Sequence, residues 1–304
     1  MSFISGCGKT NTDILYAGLP RLPEMGEELY CEDFALKLGG GVPGTMVNIS
    51  RLGIPVKVST WIGDDMFSRF CLEEYKKAGC EIINLYKGVG KLPLNITSAL
   101  ITPEDRTFAT YGPEPAYSDI ELEEIYKAST GAKIAEVQSG CLEVYKRLKS
   151  EGTLLVLDTG YTEDMSFEMY KDYIELADYY TPNQKEALKI TGKDNPEDAV
   201  RFLSHYFERP IVKLDKDGCM GMENGEIFTV PVIDEYKRVD STGAGDAFLA
   251  GLMYGLYYDY SFKDCILLGN LTGGKCVTGI GCLTNYFKEN ELLEKLKEYK
   301  DKWE

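Results

Sequence analysis

The residues Asp240-Ser241-Thr242-Gly243-Ala244-Gly245-Asp246-Ala247-Phe248 have the makings of an anion site with a base beside it, and they run into an apolar, helix-like stretch at 249–257. A helix that starts among small residues leaves backbone N–H groups without partners, and the helix dipole adds positive potential there. The segment reads as a phosphate site. Gly243 and Gly245 let the backbone approach a ligand closely, while Asp246 projects a carboxylate into a place prepared for negative charge. A carboxylate so placed makes sense as a base. Phosphoryl transfer to an alcohol needs positioning, charge neutralisation and a proton acceptor near the attacking oxygen, and this stretch can supply all three. The same residues also fit an ordinary helix start with Thr242 as N-cap. They are not a Walker A loop, since no Gly-Lys-Ser/Thr ending follows.

An acceptor alcohol needs paired donors and acceptors, and a buried carboxylate that receives two hydroxyl hydrogen bonds is an economical way to hold one. Asn11 and Asp13, after a first short strand, offer such a pair, and Gly39-Gly40-Gly41 would let backbone meet ligand. Asp13 is the stronger choice, against a plain turn aspartate. His205 is the single histidine, so histidine triads and multi-histidine metal sites cannot be built from this chain alone. Acid–base chemistry falls to carboxylates or lysines.

These residues need a scaffold that brings distant segments together. Apolar β-rich runs alternate with amphipathic stretches through most of the chain, which predicts βα units around a largely parallel, doubly wound sheet. Strands are expected at 56–61, 154–158, 179–181 and 211–214, and helices at 67–78, 186–191 and 196–206, the first two stopped by Gly79 and Gly192. Two segments, about 14–38 and 92–111, break the rhythm with short Pro- and Gly-punctuated runs. They predict a small, discontinuous β lid on a single core domain spanning 1–304. An exposed β layer must pair, be covered or move, so the lid is expected either to form a homodimer or to be mobile.

Composition excludes several other functions. The 304 residues carry 49 acidic and 33 basic side chains, a formal charge of −16, which disfavours nucleic acid and anionic lipid as partners. The nine cysteines form no C-x-x-C pair, and no basic leader precedes an apolar run, so reduced thiols in a cytoplasm fit best. The longest apolar run, 247–258, is too short to span a bilayer. A dinucleotide-binding oxidoreductase would need a G-x-G-x-x-G turn after its first strand, which is lacking.

The 240–248 stretch resembles the late signature of the ribokinase-like (PfkB) carbohydrate kinase family. The similarity extends to Asn11-Thr12-Asp13, Gly39-Gly40, Gly63-Asp64-Asp65 and Asn183-Gln184-Lys185-Glu186, four further motifs in family order. It implies a three-layer α/β/α sandwich and an ATP-dependent phosphotransferase acting on a sugar or sugar-acid hydroxyl. Asp246 would be the base, the 243–246 backbone the anion hole, and Asn11, Asp13, Gly39, Gly40, Gly41 and Gly44 the acceptor site. Asn183, Lys213, Gly218, Asn270 and Gly274 would meet the nucleotide. Glu186 would hold magnesium through water, and Asp240 and Thr242 would be available to potassium. Read alone, Asn183-x-x-Glu186 is a helix N-cap with a first-turn carboxylate, Lys213 a strand-end lysine reaching solvent, and Asn270 and Gly274 helix packing. The chain departs from the family at Gly44, where asparagine is usual, at Asp215, where glycine is common, and at Asp158-Thr159-Gly160-Tyr161. The segment 131–152 is short for the family, leaving Glu143 as a guessed substrate contact, and Arg106 in the lid turn could reach an anionic acceptor. A nucleoside kinase of the same fold and a catalytically weak, ligand-binding regulator are the alternatives.

Overall fold

The computed structural model describes residues 2–88, 92–104, 106–113 and 117–300; Asp105, in the expected lid turn, lies outside them. Its first elements in chain order are β1 (Ile4–Cys7), β2 (Asn11–Ala17), β3 (Asp33–Gly39), α1 (Gly41–Arg51), β4 (Val56–Thr60), α2 (Met66–Ala78), β5 (Glu81–Asn84), β6 (Asn95–Ile101) and β7 (Arg106–Tyr111). There follow α3 (Asp119–Ser129), β8 (Ile134–Val137), α4 (Leu142–Ser150), β9 (Leu154–Leu157), α5 (Phe167–Leu176), β10 (Tyr179–Tyr180), α6 (Gln184–Thr191) and α7 (Pro196–Leu203). The last part holds β11 (Ile211–Lys213), β12 (Cys219–Glu223), β13 (Glu226–Val230), α8 (Ala244–Tyr257), α9 (Phe262–Cys276) and α10 (Glu289–Lys300).

A six-stranded parallel sheet, in the order β10-β9-β8-β1-β4-β5, forms the middle layer. Strands β1 and β8 are buried along their whole length, as expected where helices cover both faces of a parallel sheet. Side chains alternate between those faces. Ile4, Val58, Ile134 and Val156 pack in one cluster with Val42 and Met46 of α1 and Leu249 and Met253 of α8. Ala135, Val137, Leu155 and Leu157 point the other way, toward Ile125, Val144, Leu148 and Ile174. Helix α8 is buried from Ala247 to Gly255, which its nearly all-apolar sequence requires.

A four-stranded sheet, β3-β2-β6-β7, is built from the two segments that broke the βα rhythm. It is the small lid. Strands β2 and β6 pair in parallel, with Asn11 opposite Asn95, and β3 and β7 flank them antiparallel.

Four details differ from the sequence reading. Asn11 and Asp13 are not in a turn: they open β2, where the pairing of Asn11 with Gly39 fixes their direction. The strand at 211–213 belongs to a separate antiparallel sheet, β11-β12-β13, joined to the end of β10 through an isolated bridge from Asn183 to Lys213. Helix α7 stops at Leu203: Ser204 N still donates four residues back to Val200 O, but His205 and Tyr206 donate three residues back, to Phe202 O and Leu203 O, in a tightened last turn. Thr242 does not cap α8; Gly243 does, with φ 75°, a left-handed conformation suited to glycine.

Candidate active site

The carboxyl ends of the parallel strands and the N-termini of α1 and α8 converge on Asp246, in the first turn of α8. Gly40, with φ 107°, caps α1 without a side chain, and no acidic residue occupies the first turn of α1. Small residues keep the gap open. A β-carbon at Gly44 would lie 3.3 Å from Asp246 Oδ2, and one at Gly41 would lie 3.7 Å from Oδ1. Two positive helix ends therefore face one carboxylate across space that larger side chains would fill.

Asp246 stands in a cluster of ionisable groups. Burial pushes its carboxyl up to about 7; Asp158 and Asp13 add to the rise and Lys213 opposes it. Lys213 is largely withdrawn from solvent, with 13% of its side chain exposed, contrary to its reading as an isolated strand-end lysine. Its ammonium is bound to Asp158 Oδ1 at 3.1 Å and would lie 3.4 Å from a β-carbon at Gly245. Burial alone would lower its pKa, but Asp158, Glu186 and Asp246 outweigh that and raise it. Asp158, just beyond β9, also accepts from Thr181 Oγ1 at 2.8 Å.

Glu186 closes a capping box with Asn183: Asn183 N donates to Glu186 Oε2 at 2.8 Å and Glu186 N to Asn183 Oδ1 at 3.0 Å. Burial brings its carboxyl up to about 7 despite Lys213 and the Asn183 donors, with Asp158 adding to the rise. Among the described residues no group of three or more acidic, cysteine or histidine side chains could hold a metal ion by itself.

The lid sheet supplies the other side. Asn11 Nδ2 donates to Asp13 Oδ1 at 2.6 Å, Thr97 Oγ1 on β6 donates to Asn11 Oδ1 at 3.2 Å, and Thr97 shares a hydrogen bond with Thr110 on β7 at 3.0 Å. Burial pushes the Asp13 carboxyl to about 6, against the Asn11 bond and with help from Asp240. Gly39 packs on Asp13, where a β-carbon would meet the carboxylate.

Within the stretch 240–246, the Ala244 N–H turns back to Ser241 O at 3.3 Å, whereas Gly245 and Asp246 lie in a first turn with no preceding turn to accept their N–H groups. Asp240 is tied to Arg106 of the lid and to the N–H groups of Thr242 and Gly281. Asp65, in the motif that follows β4, caps α2 through the N–H groups of Phe67 and Ser68.

Other predicted residues lie further out or are engaged structurally. Asn270 Nδ2 donates to the carbonyls of Val230 and Pro231, both at 2.9 Å, and Gly274 packs on Tyr236. Gly218 turns the chain into β12 with φ 92°. Asp215 adopts φ 55°, a left-handed conformation at the position where the resemblance expects glycine, and one that aspartate tolerates better than most residues. Glu143 pairs with Lys146 on the exposed face of α4, away from the cluster. Sequence reasoning missed Glu136 on β8, which is 1 % exposed with Oε2 unpartnered, its carboxyl raised by burial, Asp158 and Asp246. A lone acid inside the apolar strand Ile134-Ala135-Glu136-Val137 was the available signal.

A profile of the pfkB family carbohydrate kinases matches residues 8–288. A ribokinase from Lactococcus lactis is 27% identical over 98% of each chain. A 5-dehydro-2-deoxygluconokinase from Clostridium perfringens is 22% identical over 89% of this chain and 87% of its own. The structure of Arabidopsis thaliana ribokinase complexed with ribose and ATP superposes with a TM-score of 0.81 at 22% identity, covering 98% of this chain and 99% of that one.

Proposed function

The chain belongs to the pfkB family of carbohydrate kinases and is a phosphotransferase, and on that premise we propose that it moves the terminal phosphoryl group of ATP to a hydroxyl of a sugar or sugar acid, with Asp246 as base. One observation carries the reading: a carboxylate held near neutral pKa between two helix N-termini, with an open glycine-lined gap beside it. Asp246 takes the proton from the attacking hydroxyl as the new O–P bond forms and the bond to the leaving diphosphate breaks. The N–H groups at 243–246 bear on the phosphoryl oxygens, with Ala244 contributing least, and Lys213 beside Gly245 adds positive charge. Asn183 and Glu186 fit a hydrated magnesium ion, which when bound neutralises phosphate charge. Gly218, Asn270 and Gly274 line the nucleotide side. Asp240 and Thr242 remain the residues proposed for a monovalent cation, although Asp240 already carries the guanidinium of Arg106.

On the acceptor side, Asp13 with Asn11 receives hydroxyls, and Gly39, Gly40, Gly41 and Gly44 leave room for a ring. The acceptor carries no phosphate. The lid arginine best placed to bind one, Arg106, is committed to Asp240 and Ser241. The exposed Phe34, Phe108 and Tyr111 of the lid fit pairing with a second copy. ADP release measured over ribose, fructose, a keto sugar acid, a nucleoside and fructose 6-phosphate tests the acceptor. Fructose or the sugar acid should give the highest kcat/KM; preference for fructose 6-phosphate rejects the uncharged-acceptor reading, and preference for ribose rejects the inference from Gly44.

A further inference from the structure

Arg106 ties the lid to the anion loop. Arg106, the first residue of β7, donates through Nη1 to Asp240 Oδ1 and through Nη2 to Ser241 Oγ at 3.2 Å. Asp240 is a hub. Its Oδ1 also accepts from Thr242 N at 2.9 Å and Thr242 Oγ1 at 2.8 Å, and its Oδ2 accepts from Gly281 N at 2.9 Å. One carboxylate thus joins three bodies: the loop that enters α8, the loop that leaves α9, and the lid sheet. The pair is well shielded, with 26% of the arginine side chain and 8% of the aspartate exposed. Burial alone would raise the Asp240 carboxyl, but the donors from Gly281 and Thr242, with Arg106, hold it below its ordinary value.

Resting on the proposed function, we infer that Arg106 is a positioning residue for phosphoryl transfer. By holding Asp240 and Ser241 it fixes the loop immediately before Gly243, and so the direction of the N–H groups that receive the phosphoryl oxygens. A guanidinium suits this task because its planar fork binds a carboxylate and a hydroxyl together, which an ammonium cannot reproduce. The arrangement makes the donor side complete only when the acceptor side is in place, since the same sheet carries Asp13 and Arg106. Misplacing a catalytic loop by a fraction of an ångström is enough to slow chemistry without weakening binding.

The test uses the full chain carrying Arg106→Met, Arg106→Lys or Arg106→Ala. Arg106→Met should lower kcat by about tenfold or more while KM for ATP stays within about twofold, and sub-denaturing guanidinium ion should restore part of the rate of Arg106→Ala. Arg106→Lys should fall between Arg106→Met and the parent. Independently of turnover, amide hydrogen exchange at Thr242 and Gly281 should accelerate in Arg106→Met, because both N–H groups donate to Asp240. Unchanged exchange overturns the inference, and so does faster exchange with an unchanged kcat, which would make the pair a structural tie only. If the parent protein phosphorylates no acceptor, the proposed function fails, and the exchange rates alone decide whether Arg106 orders the loop.

Discussion

Two helices of this protein begin with the same device, and of these two only the second stands beside Asp158 and Lys213. At the start of α3, Ser118 and Glu121 form a capping box; at the start of α6, Asn183 and Glu186 form another. Locally they are alike, each carboxylate accepting the N–H of its N-cap residue. Their surroundings are not. Burial would raise Glu121, but the Ser118 N–H, the indole N–H of Trp61 and Lys87 outweigh it and lower its pKa. Glu186 is 4% exposed, shares its surroundings with Asp158, and is pushed up to about 7. A motif therefore fixes where a carboxylate stands, while the groups it shares space with decide whether it can meet a cation or move a proton.

The sharpest way to break this contrast is at the centre of the acidic cluster. Asp246→Asn should lower kcat by about two or more orders of magnitude with ATP affinity near normal, whereas Glu121→Gln should leave kcat within about twofold. Steady-state kinetics with a nucleotide-binding titration checks both. Retention of more than about half of the parent kcat by Asp246→Asn removes it as the base.

The next effect is on pH dependence. Asp246 works as a base only when ionised, so kcat/KM should rise with pH and reach half its plateau near 7. Lys213→Met removes the cation that opposes the rise and should move this limb to higher pH. Asp158→Asn removes a neighbouring negative charge and should move it to lower pH. An acid limb at about 4, the ordinary carboxylate range, would show that the cluster does not tune Asp246.

The smallest effect is on stability, and it separates the two capping boxes directly. Glu121 has a lowered folded pKa, so its contribution is present above the unfolded value and is lost as pH falls through the folded one. Glu186 has a raised folded pKa, so its contribution is full below the unfolded value and is lost as pH rises through about 7. At pH 8, therefore, Glu121→Gln should destabilise, while Glu186→Gln should be neutral or stabilising. Urea unfolding of both variants decides; equal losses would mean that burial makes no difference between the boxes.

The contrast also explains what could be read from the chain beforehand. The glycine-rich start of α8 was legible because small residues before a long apolar run restrict what the backbone can do. The lid was legible because its segments lack helical periodicity. Asn183-x-x-Glu186 was correctly readable as a cap, yet the pKa of Glu186 depends on Asp158 and Lys213, which lie 28 and 27 positions away. Lys213 looked like a solvent-seeking lysine because nothing local reveals that Asp158, just beyond β9, stands within ion-pair distance. Arg106 was noticed as a lid arginine, but its partner 134 positions later could not be named from pattern. Local rules reach one element at a time, and the site is made by pairs far apart along the chain.

The parallel pairing of β2 with β6 has a consequence for assembly. Asn11 lies opposite Asn95, and the chain between them contributes α1, β4, α2 and β5 to the main body. Closing so long a loop early carries an entropic cost that is recovered once the intervening strands are in register and hold its ends close. The acceptor side proposed above therefore cannot form before β6 has joined β2, and a nascent polypeptide carrying β1 and β2 alone has Asn11 and Asp13 without the Thr97 partner that β6 brings.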